Sequence, residues 1–566
     1  MKKIVLILTL LVTLGACDKK LDRLLENPNL PTPESADATL YLNQVQLGFA
    51  GFFNTASDFG MDLTRQLHFF GPTYGSGYFP QSYDGLWTTA YRTIFTNANA
   101  SIPIAEQQQR FVNVAMAKII KAYTAMTLVD MFGDIPFTEA NLGIENTNPK
   151  VDKGQDVYAA AIALLDEAIA DLAKTSGAFP GVNDLFYGTT ATNGGIARWT
   201  TLAKTLKLRA YLQTYLVDQT AKAKIEALIT ENDLINAQAQ DFEFKYGTRL
   251  ANPNNRHPRY VTNYPNAGGP GNYMANYFMW SLITEKGSFN NNPATDNSDP
   301  RTRYYIYRQR TNDAAVDEVT KFCSTSPAPS HYVITGWQPY SNEVPYCTLG
   351  FGFWGRDHAD NGGIPPDNNL RSTVGVYPFG GDFDANQGTN ISLNRGGQGA
   401  GIQPILLSTF TDFMKAEAAL VLGTTGDARA LLESGIKKSF TKVLGFPATV
   451  GVTVPSEFVP SQARLDAYVA KVLAAYAAAT TTDQKLDVLI KEYYLALFGN
   501  GVNAYNTYRR TCKPSNMQPT LSPNPGVFIS SHLYPSVHVN LNQNATQKSS
   551  VGVKVFWDNK PAGCTR

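Results

Sequence analysis

The side chains with the clearest potential for chemistry lie in the run RDHADNGG, which begins at Arg356. Carboxylates on glycine-rich loops are hard oxygen ligands of the kind that Ca²⁺ prefers. The alternative is a loop whose Asp and Asn side chains hydrogen-bond their own backbone in turns. The sequence therefore supports only a weak calcium candidate, and otherwise no cofactor is expected. The carboxylates that could contribute are Asp357, Asp360 and Asp367, with Asp382 and Asp384 further downstream.

Motifs of the common catalytic classes are not found in this sequence. It has six histidines, none of them in an H-E-x-x-H pattern, and it lacks a G-x-S-x-G motif, a Walker A loop and a dinucleotide fingerprint. Paired carboxylates for glycoside hydrolysis are defined by their separation in space, which a sequence does not give. We therefore expect a protein that is not an enzyme. An exported helical hydrolase acting on a polysaccharide or a peptide is the alternative.

Composition excludes some partners and leaves others open. The formal net charge is +1 and no basic run is present, so nucleic acid is not expected as a partner. Aromatic side chains, Gly and Pro are concentrated in residues 241–400, where no long helical stripe appears. So many rings in an irregular region must either be buried in a core of their own or be presented to a ligand.

Helices must position these loops, and their periodicity is clear on both sides of the irregular region. Apolar residues recur at the three-and-four spacing of a helix face in residues 36–240 and again in residues 401–500. These helices make about four pairs, which favours tetratricopeptide-like packing, although the signature of that repeat is absent. Residues 501–566 are expected to be loop with short strands, such as 551–557. The helices that we expect to form pairs in the second zone span 404–422, 427–440, 462–478 and 482–498.

The N-terminus has the layout of an exported lipoprotein. Lys2 and Lys3 precede an apolar run over residues 4–14, which is too short to span a membrane and is typical of a signal peptide. The sequence Leu-Gly-Ala-Cys at its end resembles a bacterial lipobox, with Cys17 as the acylated residue. We therefore predict a signal peptide over 1–16, a lipid anchor on Cys17 and a flexible tether over 17–35. No later segment is expected to reach spanning length.

The other four cysteines allow disulfides in an exported chain. No C-x-x-C spacing is present, so a zinc or redox site is not expected. Cys323 and Cys347 are the favoured pair because they close a short loop within one region. Cys512 and Cys564 would then join the C-terminal tail to the body.

An ordered set of segments resembles the SusD/RagB family. The residues between 117 and 140 are similar to its helix followed by a Gly-Asp-[IV]-Pro-[FY] turn, and 199–209 to its Trp-x-x-x-Ala-x-x-Leu-[KR]-Leu-Arg helix. Cys512 departs from the family pattern, which has Gly or another small residue there. The remaining matching segments are Asp299-Pro300-Arg301, the helix pair at 415–420 and 427–439, the YNTYRRTCKP stretch at 505–514, and Tyr534-Pro535 with Asn540.

This resemblance implies a mainly α-helical fold, in which about four tetratricopeptide-like helix pairs support a large irregular ligand-binding region within one domain over 36–566. It implies an outer-membrane lipoprotein at the cell surface that binds an oligomeric nutrient. It also implies a partner, a SusC-type TonB-dependent barrel transporter, over which the protein acts as a lid. Whether the ligand is a glycan, which aromatic richness favours, or a peptide stays open.

Within that resemblance, the ligand face is expected to come from loops. An elongated ligand would lie across a shallow surface formed by the 72–83 loop and the 330–356 region. Trp337 and Trp354 are the favoured platforms, because Gly336 and Gly355 beside them are turn residues, next to which a ring can lie open on a loop. For each ring the alternative is burial in an irregular core. Trp87, Trp199 and the motif residues Asp134, Arg209 and Arg509 are interpreted as core or scaffold. The candidate ligand-binding residues are Tyr74, Tyr78, Phe79, Trp280, Trp337, Tyr340 and Trp354.

Overall fold

The structure is a computed structural model that describes residues 37–174, 183–188, 194–265, 269–312, 328–334, 349–361 and 370–559. The predicted signal peptide, the acylated Cys17 and most of the tether lie outside these residues. So do both members of the predicted pair Cys323–Cys347. Cys512 is disulfide-bonded, and its partner also lies outside the described residues because every other cysteine does.

Helices dominate the described fold, and four pairs form its scaffold, as the sequence predicts. The longer helices are α1 (Ala38–Leu63), α4 (Thr96–Gln107), α5 (Phe111–Phe132), α6 (Gly154–Ala173), α7 (Gly194–Thr214), α8 (Ala221–Glu231), α13 (Ser408–Leu422), α14 (Ala428–Thr449), α15 (Gln462–Ala478), α16 (Thr482–Ala496) and α17 (Gly501–Thr511). The pairs are α5 with α6, α7 with α8, α13 with α14, and α15 with α16. The first helix, α1, leads into the loops that follow it and packs against several later helices.

Short helical segments connect these. Two stretches of π-helix, Thr89–Phe95 and Ser281–Glu285, continue the short helices that precede them. The remaining α-helices are α2 (Tyr74–Gly77), α3 (Asp84–Thr88), α9 (Pro258–Asn263), α10 (Asn276–Trp280), α11 (Thr302–Tyr305), α12 (Ser330–Ile334) and α18 (Ser536–Leu541). The 3₁₀ turns are Pro80–Tyr83, Gly143–Glu145, Gln238–Gln240 and Ser456–Phe458.

The central helix α5 is buried on nearly all sides. It is long and apolar enough to cross a membrane, so the expectation that no later segment reaches this length is wrong. However, 94% of its most apolar window is buried inside the fold, which is the environment of a core helix. Gly133 ends it with a φ of 79°, a conformation that glycine adopts without the steric cost of a side chain.

Two small antiparallel sheets join distant parts of the chain. Strand β1 (Phe242–Lys245) pairs with β4 (Ile402–Leu406), and β2 (Ile306–Tyr307) pairs with β3 (Thr373–Val374). The expectation that a helix begins at residue 404 is therefore wrong. All five residues of β4 are buried, and a short apolar run of this kind suits a buried strand as well as a helix.

The irregular region has an aromatic core of its own. Its rings pack against the ends of α1, α14, α16 and α17 in a cluster separate from that of the helix pairs. Tyr260 and Tyr264 stack at 4.5 Å, and Phe278 stacks on Phe498 at 4.7 Å. The composition allows these rings either to be buried in a core or to be presented to a ligand. Most of the described rings are buried.

The C-terminal tail is more helical than the sequence suggests. Residues 501–511 form α17, and 551–557 form turns instead of the predicted strand. Trp87 and Trp199 are buried, so their interpretation as core residues is confirmed. Arg209 and Arg509 are buried as well, and Asp134 accepts a hydrogen bond from the backbone of Gly154 at the start of α6, which confirms their structural roles.

Candidate functional site

The loop that follows α1 folds back on itself. Gly71 has a φ of 143°, and a Cβ placed on it would lie 2.7 Å from the Cα of Gly77. A Cβ on Gly77 would in turn meet the ring of Phe69 at 2.0 Å. Only glycine fits both positions, so the two arms of the loop touch there. Phe70 directly precedes Gly71, and Phe79 follows Gly77 by two residues. The two phenylalanines therefore lie at the two ends of one closed loop.

Tyr74 fixes this loop to a second segment. The hydroxyl of Tyr74 accepts a hydrogen bond from Nη2 of Arg65 at 3.0 Å and lies 3.2 Å from Nε2 of His358. The ring of His358 stacks on Phe69 at 5.3 Å. The loop at 72–83 and the segment at 349–361, which includes part of the predicted ligand surface, are thus in direct contact.

Tyr78 attaches the same loop to the end of α1. Its hydroxyl donates a hydrogen bond of 2.5 Å to Oδ2 of Asp62, and its ring packs edge-on against Phe59 at 5.0 Å. Burial raises the pKa of Asp62 to about 7, and the nearby Arg259 guanidinium acts in the opposite direction. Tyr78 is half-buried, so it serves as an anchor with one edge near the surface.

Two phenylalanine rings of the loop remain open to solvent. Phe79 is 62% exposed and precedes the 3₁₀ turn Pro80–Tyr83. Phe70 is 48% exposed, and its ring meets His68 edge-on at 4.3 Å and Tyr273 at 5.9 Å. Such rings offer an apolar face to a ligand without first having to leave a core.

Two arginines pack against Tyr273, the ring that Phe70 meets edge-on. The guanidinium groups of Arg356 and Arg371 lie 4.5 Å and 4.6 Å from the centre of the Tyr273 ring. Arg356 also approaches Oδ2 of Asp360 at 3.4 Å. Burial, with the charge of Arg356, lowers the pKa of His68 to about 3, so its imidazole is neutral and its Nε2–H donates to the carbonyl of Asp360. This arrangement holds Phe70 on a fixed base.

Three of the predicted ligand-binding rings are buried, and the expectation that they form open platforms is wrong. Tyr74 is 1% exposed, Trp354 is 6% exposed and Trp280 is 9% exposed. For Trp354 the reasoning from Gly355 fails because this glycine permits close packing: a Cβ there would lie 2.4 Å from the carbonyl oxygen of Met274. The backbone of Trp354 is also bonded to Ser372 in both directions.

Four predicted rings remain. Tyr78 is half-buried and Phe79 is exposed as a platform requires, whereas Trp337 and Tyr340 lie outside the described residues. Sequence reasoning missed Phe70, although the argument used for Trp354 applied to it, since Gly71 follows Phe70 directly. The preference for tryptophan led away from this ring.

The carboxylates of the calcium candidate are engaged by protein groups. Oδ1 of buried Asp357 accepts hydrogen bonds from the amides of Asn276 and Gln518 at 3.2 Å and 2.6 Å, and Asp360 approaches Arg356. Asp384 pairs with Arg308, and Asp382 with Arg395 at 2.7 Å. The described residues contain no cluster of three or more His, Cys, Asp or Glu placed to hold a metal ion. Asp367 lies outside them.

Comparison with protein families gives two matches that together cover most of the chain. A profile described as starch-binding and associating with the outer membrane matches residues 31–326. A second profile, described as Susd and RagB outer membrane lipoprotein, matches residues 403–554. Among curated proteins there is no significant match.

Solved structures share the fold at low sequence identity. A chitin-binding SusD homolog from Flavobacterium johnsoniae is 18% identical, with a TM-score of 0.58 over 91% of this chain and 99% of that one. A SusD homolog from Bacteroides fragilis is 18% identical, with a TM-score of 0.62 over 93% and 100%. A third, from Bacteroides uniformis, is 16% identical, with a TM-score of 0.63 over 92% and 99%.

Proposed function

The chain belongs to the SusD/RagB family of outer-membrane lipoproteins, and from this premise we propose that it captures an oligomeric nutrient at the cell surface. The ligand class is a glycan in the first place, with a peptide as the second candidate. The name of the Flavobacterium johnsoniae structure, a chitin-binding protein, supports the glycan.

The observation that carries this proposal is the exposure of Phe70 and Phe79 on one closed loop. A pyranose ring has apolar C–H faces, and a flat aromatic side chain on a fixed base can cover one of them. The loop is held by Tyr74 and Tyr78 and does not need to order itself on binding, which reduces the entropic cost of association. Two exposed rings on one loop suit an extended ligand better than a single small molecule.

The second part of the proposal concerns the partner. The protein is a lid over a SusC-type TonB-dependent barrel, held to the outer membrane by acyl chains on Cys17. Family membership and the lipobox sequence support this role. An extended ligand bound on a shallow surface can be released into a barrel, whereas a ligand enclosed in a deep cavity must first be uncovered.

The ligand is tested by calorimetry on the chain without its signal peptide. The probes are oligosaccharides from chitin, starch and xylan, and a mixed peptide digest. We expect one glycan class to bind with a Kd in the micromolar to millimolar range, which corresponds to a standard free energy of binding of roughly −4 to −8 kcal/mol. Binding of peptides alone would replace the glycan by the second candidate, and absence of binding to every probe would contradict the proposal.

The partner and the alternative hydrolase are tested separately. Affinity capture of the tagged chain from detergent-solubilised outer membrane should bring down a TonB-dependent barrel, identified by mass spectrometry. Replacing Cys17 by Ala should leave an uncleaved or mislocalised precursor. Incubation with the bound oligosaccharide should leave its length unchanged. Shortened products that appear with the purified chain would instead favour the exported hydrolase.

A further inference from the structure

A cavity of about 480 Å³ lies between one face of α15 and the loop that follows the π-helical stretch Ser281–Glu285. Pockets that bind small molecules commonly have volumes of about 300–1,000 Å³, so this one has the size of a ligand site. The rings of Phe70 and Phe79 do not line it. We call it the α15 cavity. Its lining includes Arg464, Ala467, Tyr468 and Lys471 from α15, and Lys286 and residues 293–298 from the loop.

Three basic side chains line the α15 cavity. The side chains of Lys286 and Arg464 are 14% and 17% exposed, whereas Lys471 is an exposed residue. Nζ of Lys471 donates to the backbone carbonyl of Lys286, so the side chain of Lys471 reaches from the helix to the opposite wall. Arg464 stands seven residues before Lys471, about 10 Å along the same face of α15. The three cations therefore border one space.

Two acidic side chains line the same cavity, and one of them is held by protein groups. Oδ1 of Asp296 accepts hydrogen bonds from the backbone nitrogen and Oγ of Ser298 at 3.0 Å and 2.7 Å, and it lies 3.4 Å from Nη2 of Arg464. Oδ2 of Asp296 lies 3.7 Å from Nε of Arg303, which is not part of the lining. Asp296 therefore divides its charge between two arginines. The other acid, Glu457, is exposed.

The groups behind the lining do not supply the missing negative charge. Nζ of Lys286 lies 3.4 Å from Oε1 of Glu492, which Arg301 also approaches at 3.4 Å. Lys471 forms no ion pair with any residue that the structure describes. Behind the lining, three arginines balance three carboxylates: Arg301, Arg303 and Arg308 with Asp299, Asp384 and Glu492. The lining itself carries three cations and two carboxylates, and this excess of one positive charge attracts a small anion.

We propose that the α15 cavity binds a sugar unit that carries a carboxylate group, such as a uronic acid. Arg464 and Lys471 hold the carboxylate through charge-assisted hydrogen bonds. Phe458, a half-buried residue of the lining, offers a ring to a pyranose face. The exposed side chains of Asn297 and Glu457 offer a donor and an acceptor to its hydroxyl groups. The choice of a sugar among carboxylates rests on the proposed function, whereas the site and the charge of its ligand do not.

Calorimetry on the chain without its signal peptide tests this with galacturonate, with galactose as the neutral counterpart and sulfate as a simple anion. Galacturonate should bind with a Kd in the millimolar range, about tenfold more tightly than either, and less tightly as salt is added. Arg464→Gln and Lys471→Gln should each weaken it about tenfold. Lys471 is exposed, so its variant remains informative if Arg464→Gln fails to fold. Lys437→Gln is the matched control, because the side chain of Lys437 is 54% exposed on α14 and does not line the cavity.

Three results would overturn the inference and leave the proposed function intact. Galacturonate bound no more tightly than galactose would show that the carboxylate is not recognised. Equal affinity for sulfate would identify a general anion site without sugar recognition. Loss of galacturonate binding in Phe70→Ala, with Lys471→Gln unaffected, would place the ligand on the aromatic loop. Galacturonate binding that depends on Lys471, in a chain that binds no oligosaccharide, would instead support the α15 cavity and contradict the proposed function.

Discussion

The indole Nε1 of Trp557 donates a hydrogen bond of 2.9 Å to Oδ1 of Asp130, a residue 427 positions earlier in the chain. Oδ2 of the same carboxylate accepts from Nη2 of Arg209 and from the side chain of Asn506, both at 2.7 Å. Tyr158 donates to Oδ1 as well. One buried carboxylate therefore joins α5, α6, α7, α17 and the C-terminal tail.

Replacing Asp130 by Asn should destabilise the protein by about 3–5 kcal/mol, because the buried Arg209 would lose its carboxylate partner while remaining charged. Trp557→Phe should cost less, about 1–2 kcal/mol, since it removes one hydrogen bond and keeps most of the ring packing. Urea unfolding measures both. Lys224→Ala, which breaks an exposed pair with Asp218, is the control and should change stability by less than about 1 kcal/mol. Equal effects for all three would contradict the central role of Asp130.

Gly60 lies where α1 and α17 cross, and it leaves no room for a side chain. A Cβ on Gly60 would lie 2.0 Å from the carbonyl oxygen of Gly501. Gly60→Ala should therefore destabilise by more than about 3 kcal/mol, beyond ordinary overpacking. Gly51 is on the same helix with nothing within 4 Å of its Cβ position, so Gly51→Ala should stabilise by about 0.5–1 kcal/mol. Thermal unfolding of the two variants checks the contrast, and a shift of the same sign for both would refute it.

Phe70→Ala and Phe79→Ala should each weaken oligosaccharide binding about tenfold while the melting temperature stays nearly unchanged. The reason is that an exposed ring contributes contact area to the ligand and little to the core. Calorimetry with the glycan identified above measures this. Leu40→Ala is the control, because Leu40 is 65% exposed near the start of α1, about 35 Å along the helix from the loop that carries the two rings. Unchanged affinity of both phenylalanine variants would exclude this loop as the platform.

Trp354→Ala should show the opposite pattern. Its ring is buried, so truncation should destabilise the protein by about 3–5 kcal/mol through loss of packing and the cavity left behind. Any loss of ligand binding should then follow the fraction of unfolded protein. Denaturant titration together with calorimetry on the folded fraction separates the two effects. A stable Trp354→Ala protein with weakened binding would restore Trp354 as a binding platform.

Asp357 should make stability depend on pH. Burial raises its pKa from 3.8 to about 7, so between these values the folded state holds a proton that the unfolded state has released. The stabilising contribution of the protonated acid is complete below pH 3.8 and is lost as pH rises through 7. Asp357→Asn cannot ionise, so its stability relative to the unmodified chain should increase from pH 4 to pH 8 by a few kcal/mol.

Urea unfolding at several pH values between 4 and 8 measures this difference. Asp466→Asn serves as the control because Asp466 is exposed on α15. Its stability curve should run parallel to that of the unmodified chain. If the Asp357→Asn curve were parallel too, the buried acid would not be the source of the pH dependence.

Periodicity and ordered motifs were sufficient to predict the helix pairs and the family. Apolar residues recur every three to four positions in α5 and in α13 to α16, so these helices can be predicted from the sequence before any partner is known. The predicted helix boundary was wrong at residue 404, where a short apolar run suits a strand as well as a helix. Residues 402–406 became β4 because residues 242–245, some 160 positions earlier, lie beside them and complete their hydrogen bonds.

The exposure of individual rings was decided only by the tertiary structure. Trp354 and Phe70 each stand beside a glycine, and the local sequence treats them alike. Gly355 admits the carbonyl of Met274 and lets the chain close over Trp354, whereas Gly71 admits the backbone of Gly77 and turns the chain so that Phe70 stays open. A glycine in the sequence indicates only that another segment can approach its backbone closely. Which segment approaches depends on contacts between residues distant in sequence, and those contacts decide whether the neighbouring ring is buried or available to a ligand.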